Sequence, residues 1–268
     1  MALSPNMNVM LRAAEKAARS LIRDFGEVEQ LQVSQKGPAD FVSAADHRSE
    51  SILYEELSKA RRDWGFLMEE RGEIKGSSPY RFIIDPLDGT TNFLHGIPHW
   101  NITIAIEENE EVVAGIVYDP VRDEMFRAEK SAGAFLRNKR LRISGRRDFA
   151  QSLIATGMIA PQKPAHKNQL GQVEAIASKT GDVRRMGAAA LDLSYVAAGR
   201  LEGYWEYNLK PWDIAAGMLI VKEAGGFISS IHATDNPVYN GNIVAGNGKI
   251  FDEFKKTLIN ASAEKDAA

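Results

Sequence analysis

Apolar positions along the chain follow two different rhythms. Val9, Met10, Ala13, Ala14, Ala17, Leu21 and Phe25 recur at three- and four-residue spacing, which predicts an amphipathic helix over 8–25. Ser4 followed by Pro5 suits its start, because a first-turn proline has no useful amide hydrogen to lose. A second helical pattern covers about 44–62 and carries Ile52, Leu53, Leu57 and Ala60. Elsewhere in the first half the apolar runs are short, β-branched and bounded by Gly, Pro, Asn or Asp. A short strand is predicted near 30–33, with a turn at Gly37-Pro38, and further strands at 65–68, 81–85, 100–107, 112–119 and 124–128. The runs 101–106 and 112–118 flank the polar break Glu107–Glu111 and predict a hairpin, closed by Asp119-Pro120. A smaller pair is expected at 133–136 and 140–143, broken at Asn138.

From about residue 150 strands and helices alternate. Leu153–Thr156 reads as a strand, 166–179 as a helix, 182–186 as a strand and 188–198 as a helix. Tyr204-Trp205-Glu206 follows as a strand, and 213–224 as an amphipathic helix stopped by Gly225-Gly226. Ile243-Val244-Ala245 and a helix over 249–258 end the pattern, and 261–268, which lacks an apolar anchor, is expected to fray. The change of rhythm predicts two closely packed subdomains, 1–147 and 148–268, without a repeat or flexible linker.

Composition narrows the function classes. A net charge of −3 gives no global drive toward nucleic acid or an anionic membrane. The chain has no cysteine, which excludes disulfides and thiolate metal ligands and fits a reducing cytoplasm. Arg12, Glu15, Lys16 and Arg19 interrupt the first helix, so neither a signal peptide nor a membrane span is expected.

The chemistry concentrates at Asp85-Pro86-Leu87-Asp88-Gly89-Thr90-Thr91-Asn92, entered from the apolar run Phe82-Ile83-Ile84. Such a run, stopped by acid, proline, acid and glycine, reads as a strand ending at a turn, with the threonines at a helix start. Hard cations such as Mg²⁺ take oxygen ligands and leave part of their shell to water and substrate phosphate. The N–H groups of Gly89 and Thr90, where they open a helix, suit a phosphate oxygen. Carboxylates beside anion-binding amides are joined most simply by a metal, the layout of a metal-dependent phosphatase.

Residues 85–93 resemble throughout the Asp-Pro-Ile/Leu-Asp-Gly-Thr-Thr-Asn-Phe signature of the inositol monophosphatases. Further segments match in family order: Lys36, Asp40 and Asp46 within 36–46, the pair Glu69-Glu70, Trp212–Gly217, and Glu223–Gly226. The resemblance spans about residues 8–258. It implies an α+β fold, a layered α-β-α-β-α sandwich of the inositol monophosphatase/fructose-1,6-bisphosphatase type. It also implies two to three Mg²⁺ per subunit, held by Glu69, Asp85, the Leu87 carbonyl, Asp88 and Asp213. Glu69 and Thr90 would serve the attacking water, with Asp46 holding Thr90. Asp88, Gly89, Thr90, Ala189 and Glu206 would contact substrate, and Lys36 and Asp40, on a loop, would assist a third cation. Lithium sensitivity and a homodimer come with the same resemblance. The expected reaction is hydrolysis of a small polyol phosphate, inositol 1-phosphate foremost, by direct attack of water. Fructose 1,6-bisphosphate and histidinol phosphate are the alternative substrates.

Two departures from the family pattern matter. Met68-Glu69-Glu70-Arg71 replaces Gly-Glu-Glu-Ser/Gly, and Ala188 stands where a hydroxyl residue is usual. His95 and His99 read as structural or rim residues. The segment 137–147 holds six basic residues among eleven. Its alternation fits a solvated strand face, and without interleaved aromatics it offers little for base stacking. An accessory protein of the RNA or transcription machinery, docked through this segment, is the reading from a different class.

Overall fold

Side-chain capping begins the first helix. Ser4 Oγ accepts the Met7 N–H at 3.0 Å, and α1 runs from Pro5 to Phe25. The computed structural model describes residues 3–27, 33–37, 40–158 and 165–266. Most of the strand predicted near 30–33, and Pro38 of its turn, lie outside them; β1 (Val33–Gly37) and β2 (Asp40–Ser43) form an antiparallel pair. Lys36 and Asp40 thus belong to strands rather than to a loop, and their side chains lie outside the description. Ser43 and Asp46 then make a reciprocal capping box that starts α2 (Ala44–Ala60).

An eight-stranded sheet follows: β3 (Gly65–Met68), β4 (Gly72–Ile74), β5 (Tyr80–Asp88), β6 (Asn101–Glu108), β7 (Glu111–Asp119), β8 (Glu124–Glu129), β9 (Gly133–Leu136) and β10 (Lys139–Arg140). Helix α3 (Thr90–Leu94) sits between β5 and β6. The strand order is β10-β9-β8-β7-β6-β5-β3-β4, with β3 and β5 parallel and the other neighbours antiparallel. The remaining elements are β11 (Leu153–Thr156), α4 (Ala165–Ala177), β12 (Asp182–Arg184), α5 (Ala189–Ala197), β13 (Gly203–Glu206), α6 (Pro211–Glu223), β14 (Phe227–Ser230), α7 (Pro237–Asn240), β15 (Ile243–Gly246) and α8 (Phe251–Asp266). Their strands make a second sheet in the order β12-β11-β13-β15-β14.

Strand alternation sorts the apolar residues into three cores. Phe82 and Ile84 face α1 and α2, whereas Ile83 between them faces α5 and α6. On the second sheet Tyr204 and Ala245 share that middle core, while Trp205 and Val244 face Phe254 and Leu258 of α8. The layers are therefore α1/α2, first sheet, α5/α6, second sheet and α4/α8, the five-layer sandwich that the resemblance implied. Strands covered on both faces lose the polar half of their alternation, which explains the unbroken run from Asn101 to Ile106.

Helix α6 corrects one expectation. Every residue from Ile214 to Val221 is buried, so the helix is apolar all round and not amphipathic, as a helix caught between two sheets must be. Gly115 on β7 permits the approach: a Cβ there would lie 2.9 Å from the Ala216 Cα. Strands β4 and β14 were not anticipated, being short edge pieces with little periodicity. The strand expected to reach 143 stops at Arg140, after which the Leu141 N–H bonds back to Ala134. The last helix continues to Asp266 instead of fraying from 261; Gln172 donates to both Leu258 O and Ser262 Oγ and anchors that turn.

Candidate active site

At its far end β5 loses its ladder. Asp85 pairs with Thr103, Pro86 has no N–H to give, and the register shifts so that Asp88 faces Asn101. Asp85 is 2% exposed and its Oδ1 accepts the Leu87 N–H at 2.8 Å, tightening the turn. The Asp85 N–H donates to Thr103 Oγ1 at 3.3 Å, and that hydroxyl donates to the Trp212 carbonyl at 2.9 Å. The strand tip is thereby tied to the start of α6.

Asp88 Oδ2 accepts from Asn101 Nδ2 at 2.8 Å and from the Ala190 N–H, at the start of α5, at 2.9 Å. Gly89 lies at φ 90°, ψ 33°, and a Cβ would meet the His99 carbonyl at 3.0 Å, so the position needs glycine on both counts. Thr90 then opens α3. Its hydroxyl stands 3.1 Å from both Asp46 Oδ1 and the Leu87 carbonyl. Asp46 Oδ2 is held by the Ser43 N–H at 2.8 Å and its hydroxyl at 2.6 Å.

Glu69 follows β3, parallel to β5, and Asp213 is the third residue of α6, where its Oδ2 accepts the Lys210 N–H at 2.7 Å. These acids press on one another. Burial, and then the charges of Glu69, Asp88 and Asp213, hold the Asp85 carboxyl well above the usual carboxylate range. Burial and Asp88 push Asp213 up to about 8, and burial also raises Asp88. The main opposition to each rise comes from hydrogen bonds: Leu87 N–H for Asp85, Lys210 N–H for Asp213, and Asn101 and Ala190 for Asp88. An all-oxygen set with mutually repelling charge fits a hard divalent cation in donor chemistry. Among the described residues no group of three or more His, Asp or Glu side chains is in place to hold a metal ion, and Asp85, Asp88 and Asp213 are each tied to the donors named above.

The second sheet brings Glu206 to the same place, where burial raises it to about 8 and the charges of Asp192 and Asp88 add to the rise. The Ala189 and Ala190 amides both bond to Asp88, which ties the start of α5 to the turn. Asn92 joins the halves, donating to the carbonyls of His99 and Met186, both at 2.8 Å. His99 is buried with Nε2 3.4 Å from Asp192 Oδ1, a packed residue, as expected. Arg71, the departure after Glu70, lies over the Tyr54 ring and near the buried Glu50, so it fastens the loop to α2. In the basic run, Arg137 pairs with Asp123 and Arg146 with Glu202, while Lys139 and Arg140 are exposed on the edge strand.

Sequence reading gave no role to Thr103, Asn101, Ser43 and Tyr204, each ordinary by itself, and read Asn92 only as part of the signature. Pairing the run at 81–85 with that at 101–106 would have placed Asn101 and Thr103 opposite the two aspartates.

A five-layer sandwich with an acid-proline-acid turn facing a helix-borne aspartate is the architecture of a phosphatase of phosphorylated small molecules, and the comparisons agree. The model of the inositol monophosphatase family matches residues 3–266. The inositol-1-monophosphatase of Mesorhizobium japonicum is 52% identical over 92% of this chain and 93% of its own. The Nus factor SuhB of Escherichia coli is 39% identical over 92% and 93%. The crystal structure of the extragenic suppressor protein suhB from Bartonella henselae superposes with a TM-score of 0.92 at 52% identity, covering 95% of this chain and 98% of that one. The chain belongs to the inositol monophosphatase family, and it is accordingly a phosphatase.

Proposed function

We propose that the chain is a Mg²⁺-dependent phosphatase acting on the monoesters of small polyols, inositol 1-phosphate first among them. The observation that carries this reading is the set of mutually repelling acids beside the N–H-rich turn at Gly89-Thr90. Glu69, Asp85 and the Leu87 carbonyl would hold one cation, and Asp85, Asp88 and Asp213 a second. Glu69, with water and phosphate, would support a third. Bound there, the cations offset the phosphate's charge and make water a better nucleophile.

The chain's own groups do the rest. Asp46 fixes the Thr90 hydroxyl, which orients the attacking water, and Glu69 receives its proton. The Gly89 and Thr90 amides hold the phosphate. The Ala189 backbone and the Glu206 carboxylate take the polyol hydroxyls. Attack is direct and in line, so no covalent enzyme intermediate forms.

Relatives named inositol-1-monophosphatase stand nearer in identity than the SuhB of Escherichia coli, and two of the basic residues in 137–147 are already paired. Both observations favour the enzyme over the transcription accessory. A cytoplasmic homodimer rests on the family resemblance and the cysteine-free composition. Among the described residues no helix is long and apolar enough to cross a membrane.

A turnover screen tests the reading. Inositol 1-phosphate, fructose 1,6-bisphosphate and histidinol phosphate are assayed with Mg²⁺, with EDTA and with added Li⁺. The expected result is Mg²⁺-dependent release of phosphate, fastest from inositol 1-phosphate and suppressed by Li⁺. Equal rates in EDTA would overturn it.

A further inference from the structure

Tyr204 and Glu206 are two residues apart on β13, so their side chains leave the same face of the strand. Tyr204 is fully buried in the core between the two sheets. A phenol in such a place needs a hydrogen-bond partner, and here the hydroxyl donates to Glu206 Oε2.

Bare backbone supports the other side of the Glu206 carboxyl. A Cβ built on Gly157 would overlap Oε1, Cδ and Oε2 of Glu206, so the carboxyl occupies the space a side chain there would need. That stretch of backbone is itself pinned, since the Gly157 carbonyl accepts from Thr156 Oγ1 at 2.9 Å and from Gln169 Nε2 at 2.8 Å. Among the described residues, Oε1 receives no hydrogen bond from the protein. Glu206 feels the charge of Asp88, and Asp213 feels that of Glu206, which sets the carboxyl beside the acid cluster.

We propose that Tyr204 is a positioning residue that sets substrate preference: by occupying Glu206 Oε2 and holding the carboxyl against Gly157, it leaves Oε1, which takes no protein hydrogen bond among the described residues, as the oxygen for a polyol hydroxyl. The inference rests on the substrate role proposed above for Glu206. A carboxylate free to rotate offers either oxygen in many directions. One held on two sides offers a single acceptor in a fixed direction, and sites that hydrogen-bond a substrate hydroxyl discriminate strongly against analogues lacking it.

The test compares kcat/KM for inositol 1-phosphate with that for p-nitrophenyl phosphate, which carries no polyol hydroxyl, in wild type, Glu206→Gln, Tyr204→Phe and Gly157→Ala. Tyr204→Phe is expected to lower the ratio about tenfold, the scale of one hydrogen bond to a charged group. Gly157→Ala reaches the carboxyl from its other side and is expected to lower the ratio as well. Because the Tyr204 hydroxyl favours the ionised carboxylate, the pH at which the preference is half developed moves upward in Tyr204→Phe, which a loss of packing alone would not produce. If Glu206→Gln leaves the ratio unchanged, the substrate role of Glu206 falls and the Tyr204 assignment with it. If Glu206→Gln lowers the ratio while Tyr204→Phe and Gly157→Ala do not, the Tyr204 assignment alone is overturned.

Discussion

The two ends of β5 handle buried charge in opposite ways. At its beginning, Arg81 faces Glu107 across the ladder, with Nε 2.5 Å from Oε2, and Tyr239 of α7 donates to the other carboxylate oxygen. Arg81 also reaches the Tyr239 hydroxyl at 2.6 Å, so the nearly inaccessible Glu107 is matched in charge and in hydrogen bonds. At its end, Asp85 and Asp88 meet Glu69 and Asp213, and the neighbouring charges named there raise Asp85 instead of balancing it. The first arrangement holds layers together. The second stores repulsion that a bound cation would relieve, the condition under which a protein gives up stability for activity.

The largest expected effect is catalytic. Asp88→Asn keeps the acceptor for Asn101 and Ala190 but removes a ligand charge. Turnover at saturating Mg²⁺ is expected to fall about 10³-fold, equivalent to about 4 kcal/mol. A steady-state assay checks this, and near wild-type turnover would remove the metal assignment. Next in size is the matched end. Arg81→Met leaves Glu107 with Tyr239 alone, and denaturant unfolding should show a loss of about 2–3 kcal/mol, below the range for fully buried pairs because Arg81 is partly exposed. Turnover by the folded fraction should persist, since this pair lies at the opposite end of the strand.

Asp85 and Asp213 divide along the same line in their pH response. Each is raised in the folded state, so each contributes stability fully below the unfolded carboxyl range, near 4, and loses it as pH climbs through the raised value, about 8 for Asp213. In EDTA the melting temperature should therefore fall between pH 6 and pH 8.5. The rise on adding Mg²⁺ should be larger at pH 8.5, where fewer protons have to be displaced from the ligands. A Mg²⁺ response that is flat with pH would count against the acid cluster as the cation site. The smallest effect is expected far from both ends: replacing Arg140 and Arg142 by Gln should change stability by less than about 0.5 kcal/mol and leave turnover alone. A pull-down at low and moderate salt checks the accessory reading, and a salt-sensitive complex lost in the double variant would revive it.

How legible each region was follows from how local its signal is. The turn at 85–90 was readable because acid, proline, acid and glycine act within one segment, and the helix start at Ser4 is equally local. The partners of that turn were not readable. Asn101, Thr103 and Asn92 acquire meaning only through cross-strand register and a contact spanning 94 residues, and Tyr204 only through its neighbour on the same strand face. The character of α6 was hidden for a related reason: whether one face or all faces are covered is decided by the second sheet, which arrives from residues distant in sequence.

On this reading the acids at the end of β5 destabilise the protein until a cation joins them. Melting of wild type and Asp213→Asn at pH 8.5, each in EDTA and in saturating MgCl₂, tests it most directly, because asparagine can still accept the Lys210 N–H that starts α6. In EDTA the variant is expected to melt above wild type, having lost a repelling charge, and in Mg²⁺ the order is expected to reverse. A variant that melts below wild type in EDTA, with the same Mg²⁺ shift in both proteins, would contradict it.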